Sequence, residues 1–235
     1  MSTGSAAATA GASDGTPSAP NFDSLAHIYR WMEYATFGPW LWRCRCAFLP
    51  TLRQRSRALI LGDGDGRFTA RLLAGNPSIE VEAVDASRSM LEALLRRAGH
   101  NRARVSTYCA DIRCWQPGSP PYDLIVTHFF LDCLTTAEVR NLAGRLRGSL
   151  APSALWVISE FAAPQNRFGR NVARPIISAL YAAFGLLTGL KVRALPDHCA
   201  ALEDAGFMLE QRKRRLGGLL VSELWSSRLS EYRSL

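Results

Sequence analysis

No apolar run in this sequence is long enough to cross a bilayer. The longest uncharged stretch, 175–190, falls short of the roughly 20 residues that a membrane span requires. Lysine is nearly absent, being confined to Lys191 and Lys213, so the net charge of +8 is carried by arginine. No arginine run is interleaved with aromatics, which argues against a nucleic-acid platform, while a diffuse basic surface suits anionic lipid headgroups. The cysteines at 44, 46, 109, 114, 133 and 199 form no CxxC pair and no His/Cys zinc spacing. They read as free thiols of a reducing cytoplasm, and no metal site is expected. Residues 1–20 lack both a basic start and an apolar core, so they read as a disordered tail and not a signal peptide.

What is present is organised around Arg57–Leu73. Ala58 to Leu61 is an apolar run, glycine follows at 62, 64 and 66, and an apolar-periodic segment with Phe68, Leu72 and Leu73 comes next. The pattern predicts strand, tight turn and helix. Such glycines permit positive φ and close approach of a ligand to the main chain, and the N–H groups opening the helix can bind polar or anionic groups. A second strand, Ile79–Asp85, ends on an acid where a nucleotide-binding αβ unit places a carboxylate on ribose hydroxyls. A third, Ala103–Cys109, runs into Asp111 and Ile112.

This series resembles the class I S-adenosylmethionine-dependent methyltransferases. The loop is GxGxG and not GxGxxG, and Asp85-Ala-Ser-Arg-Ser-Met-Leu91 is similar to that family's DxSxxML pattern. The resemblance implies an α/β fold: a Rossmann-like, mostly parallel seven-stranded sheet with a reversed last strand and helices on both faces. It implies S-adenosyl-L-methionine as cofactor, with Gly62, Gly64 and Gly66 cradling its methionine part. Asp85 would accept the ribose hydroxyls, Asp111 and Ile112 would hold adenine, and Ala86, Met90 and Thr127 would complete the site. The family's acid two positions before the first glycine is replaced by Ile60, for which Asp63 and Asp65 are the substitutes within the loop.

Upstream, Phe22, Leu25, Ala26, Tyr29 and Met32 form one helical stripe, and Trp40–Leu52 forms a second amphipathic segment after Gly38-Pro39. Phe22, Asp23, Ala26, Tyr29 and Met32 match the FDxxAxxYDxM opening of the ubiquinone/menaquinone C-methyltransferases, with Arg30 in place of an aspartate. That narrower resemblance implies cap helices over 21–53, with Tyr29 lining the active site. Downstream, the fourth strand Tyr122–Thr127 delivers His128 to the carboxyl end of the sheet, where a near-neutral imidazole can accept a proton from a phenol or hydroquinone. A packed loop histidine making one hydrogen bond is the competing reading, and Asp132 stands similarly. The loop there differs from that of the quinone enzymes and lacks the Asn/Asp-Pro-Pro-aromatic motif used on exocyclic amines.

Thr135 and Glu138 form a capping box for a helix to about Leu150, and Ala154–Glu160 reads as a central strand. Residues 165–194 read as a helical substrate insertion whose apolar part is flanked by Arg167, Arg170, Arg174, Lys191 and Arg193. It could admit a lipid tail at an anionic membrane, or serve core or homodimer packing. A proline-started helix ends at Gly206, and two strands about Gly217-Gly218 close the chain. One domain over 21–235 is expected, transferring a methyl group to a small apolar acceptor such as a quinone or isoprenoid-tailed aromatic. The alternatives are a soluble natural-product acceptor and a cofactor-binding scaffold without catalysis.

Overall fold

Strands and helices alternate along the chain because two hydrophobic periods alternate in its sequence. The computed structural model describes residues 37–118, 121–163, 175 and 195–227. The expected tail 1–20, the expected helix with Tyr29 and, Pro175 apart, the expected insertion 165–194 lie outside the described residues.

The strands are β1 (Arg57–Leu61), β2 (Glu80–Asp85), β3 (Val105–Cys109), β4 (Tyr122–His128), β5 (Leu150–Phe161), β6 (Phe207–Arg215) and β7 (Leu220–Ser227). They form one sheet in the order β3-β2-β1-β4-β5-β7-β6. Strands β1 to β5 pair in parallel, and β7 runs antiparallel to both β5 and β6. The reversed last strand and mostly parallel order are the expected Rossmann-like arrangement.

The helices are α1 (Pro39–Arg45), α2 (Arg67–Gly75), α3 (Arg88–Ala98), α4 (Thr136–Arg147) and α5 (His198–Asp204). Alternate strand residues divide the core. Leu59, Ile125, Trp156 and Trp225 pack beneath α4 and α5, whereas Ile60, Val126 and Val157 pack with Phe68 and Leu72 of α2 and Leu91 of α3. Both faces are covered, which is why the central strands read as continuous apolar runs.

The segment Trp40–Leu52 departs from a single helix. It divides into α1 and a 3-10 turn, Leu49–Leu52, because Pro50 has no N–H to continue an α-helical ladder. Strand β5 begins four residues before the expected Ala154, and it accommodates Pro152 through a register shift opposite Tyr122 and Leu124.

Candidate functional site

From β1 the chain crosses to β2 on one side, and from β4 it crosses to β5 on the other. The carboxyl ends of β1 and β4 therefore flank the topological switch point, the crevice where open α/β sheets bind ligands.

The β1–α2 loop takes its shape from glycine. Gly62, Gly64 and Gly66 have φ of +67°, +60° and +77°, a region that side-chain-bearing residues adopt with strain. A Cβ on Gly66 would come within 2.6 Å of the Leu94 Cα, so this glycine lets α2 and α3 approach. A Cβ on Gly64 would meet no described residue within 4 Å, which leaves its main chain open on that side among the described residues. On Gly62 a Cβ would run into the Phe130 ring.

The two loop acids hold the loop itself. Asp63 Oδ2 accepts from Thr69 N–H at 2.9 Å and from the Thr69 hydroxyl at 2.6 Å, restraining the first turns of α2. Burial pushes the Asp63 carboxyl above its ordinary range, against the opposing effect of the Thr69 bonds. Asp65 joins Arg67 at 3.2 Å and Arg97 of α3 at 2.8 Å. Ile60 is core, 1% exposed.

Asp85 closes β2, and its Oδ1 accepts from Ser87 N–H at 2.9 Å. Ser87 in turn caps α3, its hydroxyl accepting from Met90 N–H at 3.3 Å. Ala86 is exposed and Met90 half-buried. Beyond β3, Asp111 is exposed and accepts from Arg113 N–H at 2.9 Å, with the Arg113 guanidinium at 3.4 Å. Arg113 also donates to Glu138 at 2.6 Å, and Arg145 of α4 donates to the carbonyls of Ile112 and Trp115 at 2.7 Å. Two arginines thus pin the Asp111–Ile112 loop to α4, with the Ile112 side chain in the core beneath.

Thr127 and His128 leave β4 on opposite faces. Thr127 is buried toward α4 and accepts from Trp156 Nε1 at 3.0 Å. His128 packs edge-on against Phe68, centroids 4.5 Å apart, and neither ring nitrogen has a hydrogen-bond partner among the described residues. Burial, and then the nearby Arg45 charge, hold its pKa well below 6.5, so the ring is neutral at neutral pH and the near-neutral titration expected from the sequence is not found, because the ring is packed in the interior.

The chain then turns sharply. Phe129 has φ +54°, an uncommon value for a bulky residue, and its N–H donates to the Ser159 carbonyl at 2.7 Å. Its ring meets Phe161 at 5.2 Å, and Phe161 meets Phe37 at 5.2 Å. Glu160, at the end of β5, accepts from the N–H groups of Phe130 and Leu131 at 3.0 and 2.8 Å through Oε1, and so fixes the turn. Burial, reinforced by Asp132, pushes the Glu160 carboxyl well up, and burial raises Asp132 to about 6. The sequence reading gave Glu160 as the end of a central strand, without a role. The signal was an acid ending an almost wholly apolar strand. The contact of Phe130 with Gly62 had no signal in the sequence.

A separate buried cluster joins His198, Cys199 and Glu223, whose donor atoms lie within 4.8 Å of one another. Arg212 Nε donates to Glu223 at 2.6 Å and Arg212 Nη2 to Cys199 Sγ at 2.9 Å, so a guanidinium already supplies the cation. His198 and Trp225 complete the Glu223 shell at 3.0 and 2.9 Å.

The carboxyl end of the sheet therefore presents a glycine-shaped loop and two strand-terminal acids, and beside them lie an unpartnered neutral imidazole and an aromatic cluster. Those donors fit a nucleoside-bearing cofactor: open main chain at Gly64 and carboxylates at successive strand ends. Residues 58–153 match a protein-family model described as a methyltransferase domain. Human N-terminal Xaa-Pro-Lys N-methyltransferase 1 is 32% identical over 113 residues, covering 47% of this chain and 50% of that protein. Trans-aconitate 2-methyltransferase of Methylobacterium radiotolerans is 34% identical over 119 residues, 49% of this chain and 43% of that protein. The chain thus spans half or less of the length of these curated relatives. Among solved structures, an O-methyltransferase family protein from Burkholderia thailandensis superposes with a TM-score of 0.61 at 18% identity, covering 89% of this chain and 58% of that one. At that identity the likeness shows a shared fold.

Proposed function

We propose that this chain is an S-adenosylmethionine-dependent methyltransferase acting on a small, apolar acceptor. The observation that supports the proposal is the left-handed GxGxG loop after β1, at the β1/β4 switch point, with Asp85 and Asp111 following the neighbouring strands β2 and β3. When bound, the cofactor supplies an electrophilic methyl group on a sulfonium. The main chain at Gly62, Gly64 and Gly66 lies against its methionine part, with Asp63 and Asp65 shaping that loop. Asp85 takes the ribose hydroxyls, Asp111 and Ile112 the adenine, and Ala86 and Met90 border the pocket, with Thr127 buried behind it against Trp156. His128, neutral and with unpartnered nitrogens, accepts a proton from the acceptor, assisted by Tyr29 of the amino-terminal cap. Alignment of the reactants in a dry pocket supplies most of the acceleration.

An aromatic acceptor, a quinone or an isoprenoid-tailed ring, is supported by the Phe37, Phe129 and Phe161 cluster beside the post-β4 turn. The apolar stretch 175–190 would serve its tail, or a homodimer contact. A soluble acceptor is the second reading, favoured by the trans-aconitate enzyme among the relatives. Calorimetric titration with S-adenosylmethionine, S-adenosylhomocysteine and NADH, with Asp85→Ala as control, tests the premise. Preference for NADH, or no binding at all, would end it. Turnover on hydroquinones of increasing tail length, against small carboxylic acids, then separates the two acceptors, and binding without turnover on either panel indicates a scaffold.

A further inference from the structure

Between α1 and α2 the surface opens into a cavity of about 600 Å³. Pro39, Leu41 and Trp42 form one wall, and Ala70 and Ala74 of α2 form the other. Arg45, Arg67, Arg71 and Arg97 rim it. Asp65 pairs with both Arg67 and Arg97, and four guanidiniums line the cavity against this one carboxylate bonded at its rim. An apolar floor beneath an arginine rim fits a ligand with an anionic head and a hydrocarbon body. Outside the cavity, α1 exposes Trp40 and Trp42, each 37% accessible, and the Arg43 guanidinium stands 4.8 Å over the Trp40 ring.

That outer surface decides between a free amphiphile and a bilayer. A soluble ligand would fill the cavity and leave the Trp40–Arg43 pair in water. A bilayer engages both, because tryptophan settles at headgroup level and arginine reaches lipid phosphate while its stem lies along apolar surface. The chain's charge of +8 favours an anionic leaflet. No helix among the described residues is long and apolar enough to span a membrane, so the contact is peripheral.

We propose that α1 and the adjoining cavity dock this chain on an anionic lipid bilayer, with a lipid phosphate among the arginines and Trp40 and Trp42 at headgroup depth. The cavity adjoins the crevice at the strand ends, with Arg45 5.4 Å from the Phe129 ring and Asp65 of the glycine loop bonded to its rim, but docking there does not depend on methyl transfer. It also differs from the 165–194 element that the sequence suggested for lipid contact.

The test is co-flotation of the full chain with phosphatidylcholine vesicles, with and without about 30% phosphatidylglycerol, read alongside tryptophan emission. Wild type should float only with the anionic vesicles, release in high salt and show a blue-shifted emission. Arg43→Gln and Arg71→Gln should each weaken partitioning about fivefold, whereas Arg43→Lys and Arg71→Lys should retain most of it. The Trp40→Ala/Trp42→Ala double variant should abolish the blue shift while far-UV circular dichroism is unchanged, which separates docking from misfolding. Equal partitioning onto neutral vesicles, or wild-type flotation of the Arg43→Gln/Arg71→Gln double variant, overturns the proposal. Binding of dispersed decyl phosphate with no vesicle affinity also overturns it, and assigns the cavity to a soluble anion.

Discussion

Asp85 ends β2 at the carboxyl edge of the sheet and accepts from Ser87 N–H within its own turn, so its replacement should alter ligand binding more than folding. A carboxylate bonded to ligand hydroxyls contributes about 1.5–3 kcal/mol, and Asp85→Ala should therefore weaken S-adenosylmethionine binding about ten- to a hundredfold with little change in melting temperature. Calorimetry and a thermal melt on the same sample check both halves. Gly62 behaves oppositely: Gly62→Ala adds left-handed strain and drives a methyl group into Phe130, so it should lower both stability and affinity. Pairing it with Phe130→Ala should recover the part due to the clash, which a double-mutant cycle in the thermal melt resolves. The positions of Asp85 and Asp111 were legible because strand ends are set by local pattern. The contact of Phe130 with Gly62 was not, since it depends on a turn that Glu160 imposes from another strand.

Helix α4 shows how far local rules reach. Thr135 Oγ1 accepts from Glu138 N–H at 3.3 Å and Glu138 accepts from Thr135 N–H at 2.7 Å, the reciprocal cap its sequence predicts. Thr135→Ala should cost about 1 kcal/mol in denaturant unfolding. Glu138 also holds Arg113, so loosening of the Asp111 loop should accompany that loss. Helix α5 depends on distant partners instead. Burial opposes a charge on His198, but its contacts with Cys199 and Glu223 outweigh burial and raise it from 6.5 to about 10. A raised folded pKa gives stability that is full below 6.5 and is lost as pH climbs toward 10. Melting temperature should fall across that window in wild type and vary less in His198→Asn. Removing one side of the cluster with Glu223→Gln leaves Arg212 and His198 facing a neutral amide, and should cost about 3–5 kcal/mol. Nothing in the spacing of residues 198, 212 and 223 announced this cluster, because an antiparallel pairing brings it together.

At the scale of the whole molecule, successive strands and helices were legible from the alternation of apolar runs with amphipathic segments, the mostly parallel sheet with its reversed last strand from the family resemblance, and the hairpin closure from Gly217-Gly218. The division of Trp40–Leu52 was not, since the helical period continues through a proline that the backbone cannot follow. The described sheet ends in two open margins, β3 and β6. Among the described residues no strand pairs with the outer side of β6, which carries Arg212-Lys-Arg-Arg215. Two such margins from different copies repel each other before their main chains can pair. That defence is electrostatic and hence conditional, because the Debye length shrinks from about 8 Å at physiological salt to about 3 Å at 1 M. Light scattering should show wild type remaining dispersed in moderate salt and Arg214→Val self-associating there. The basic run on β6 thus acts as a colloidal stabiliser, and concentrated salt should convert a margin that ends one sheet into a template that extends it.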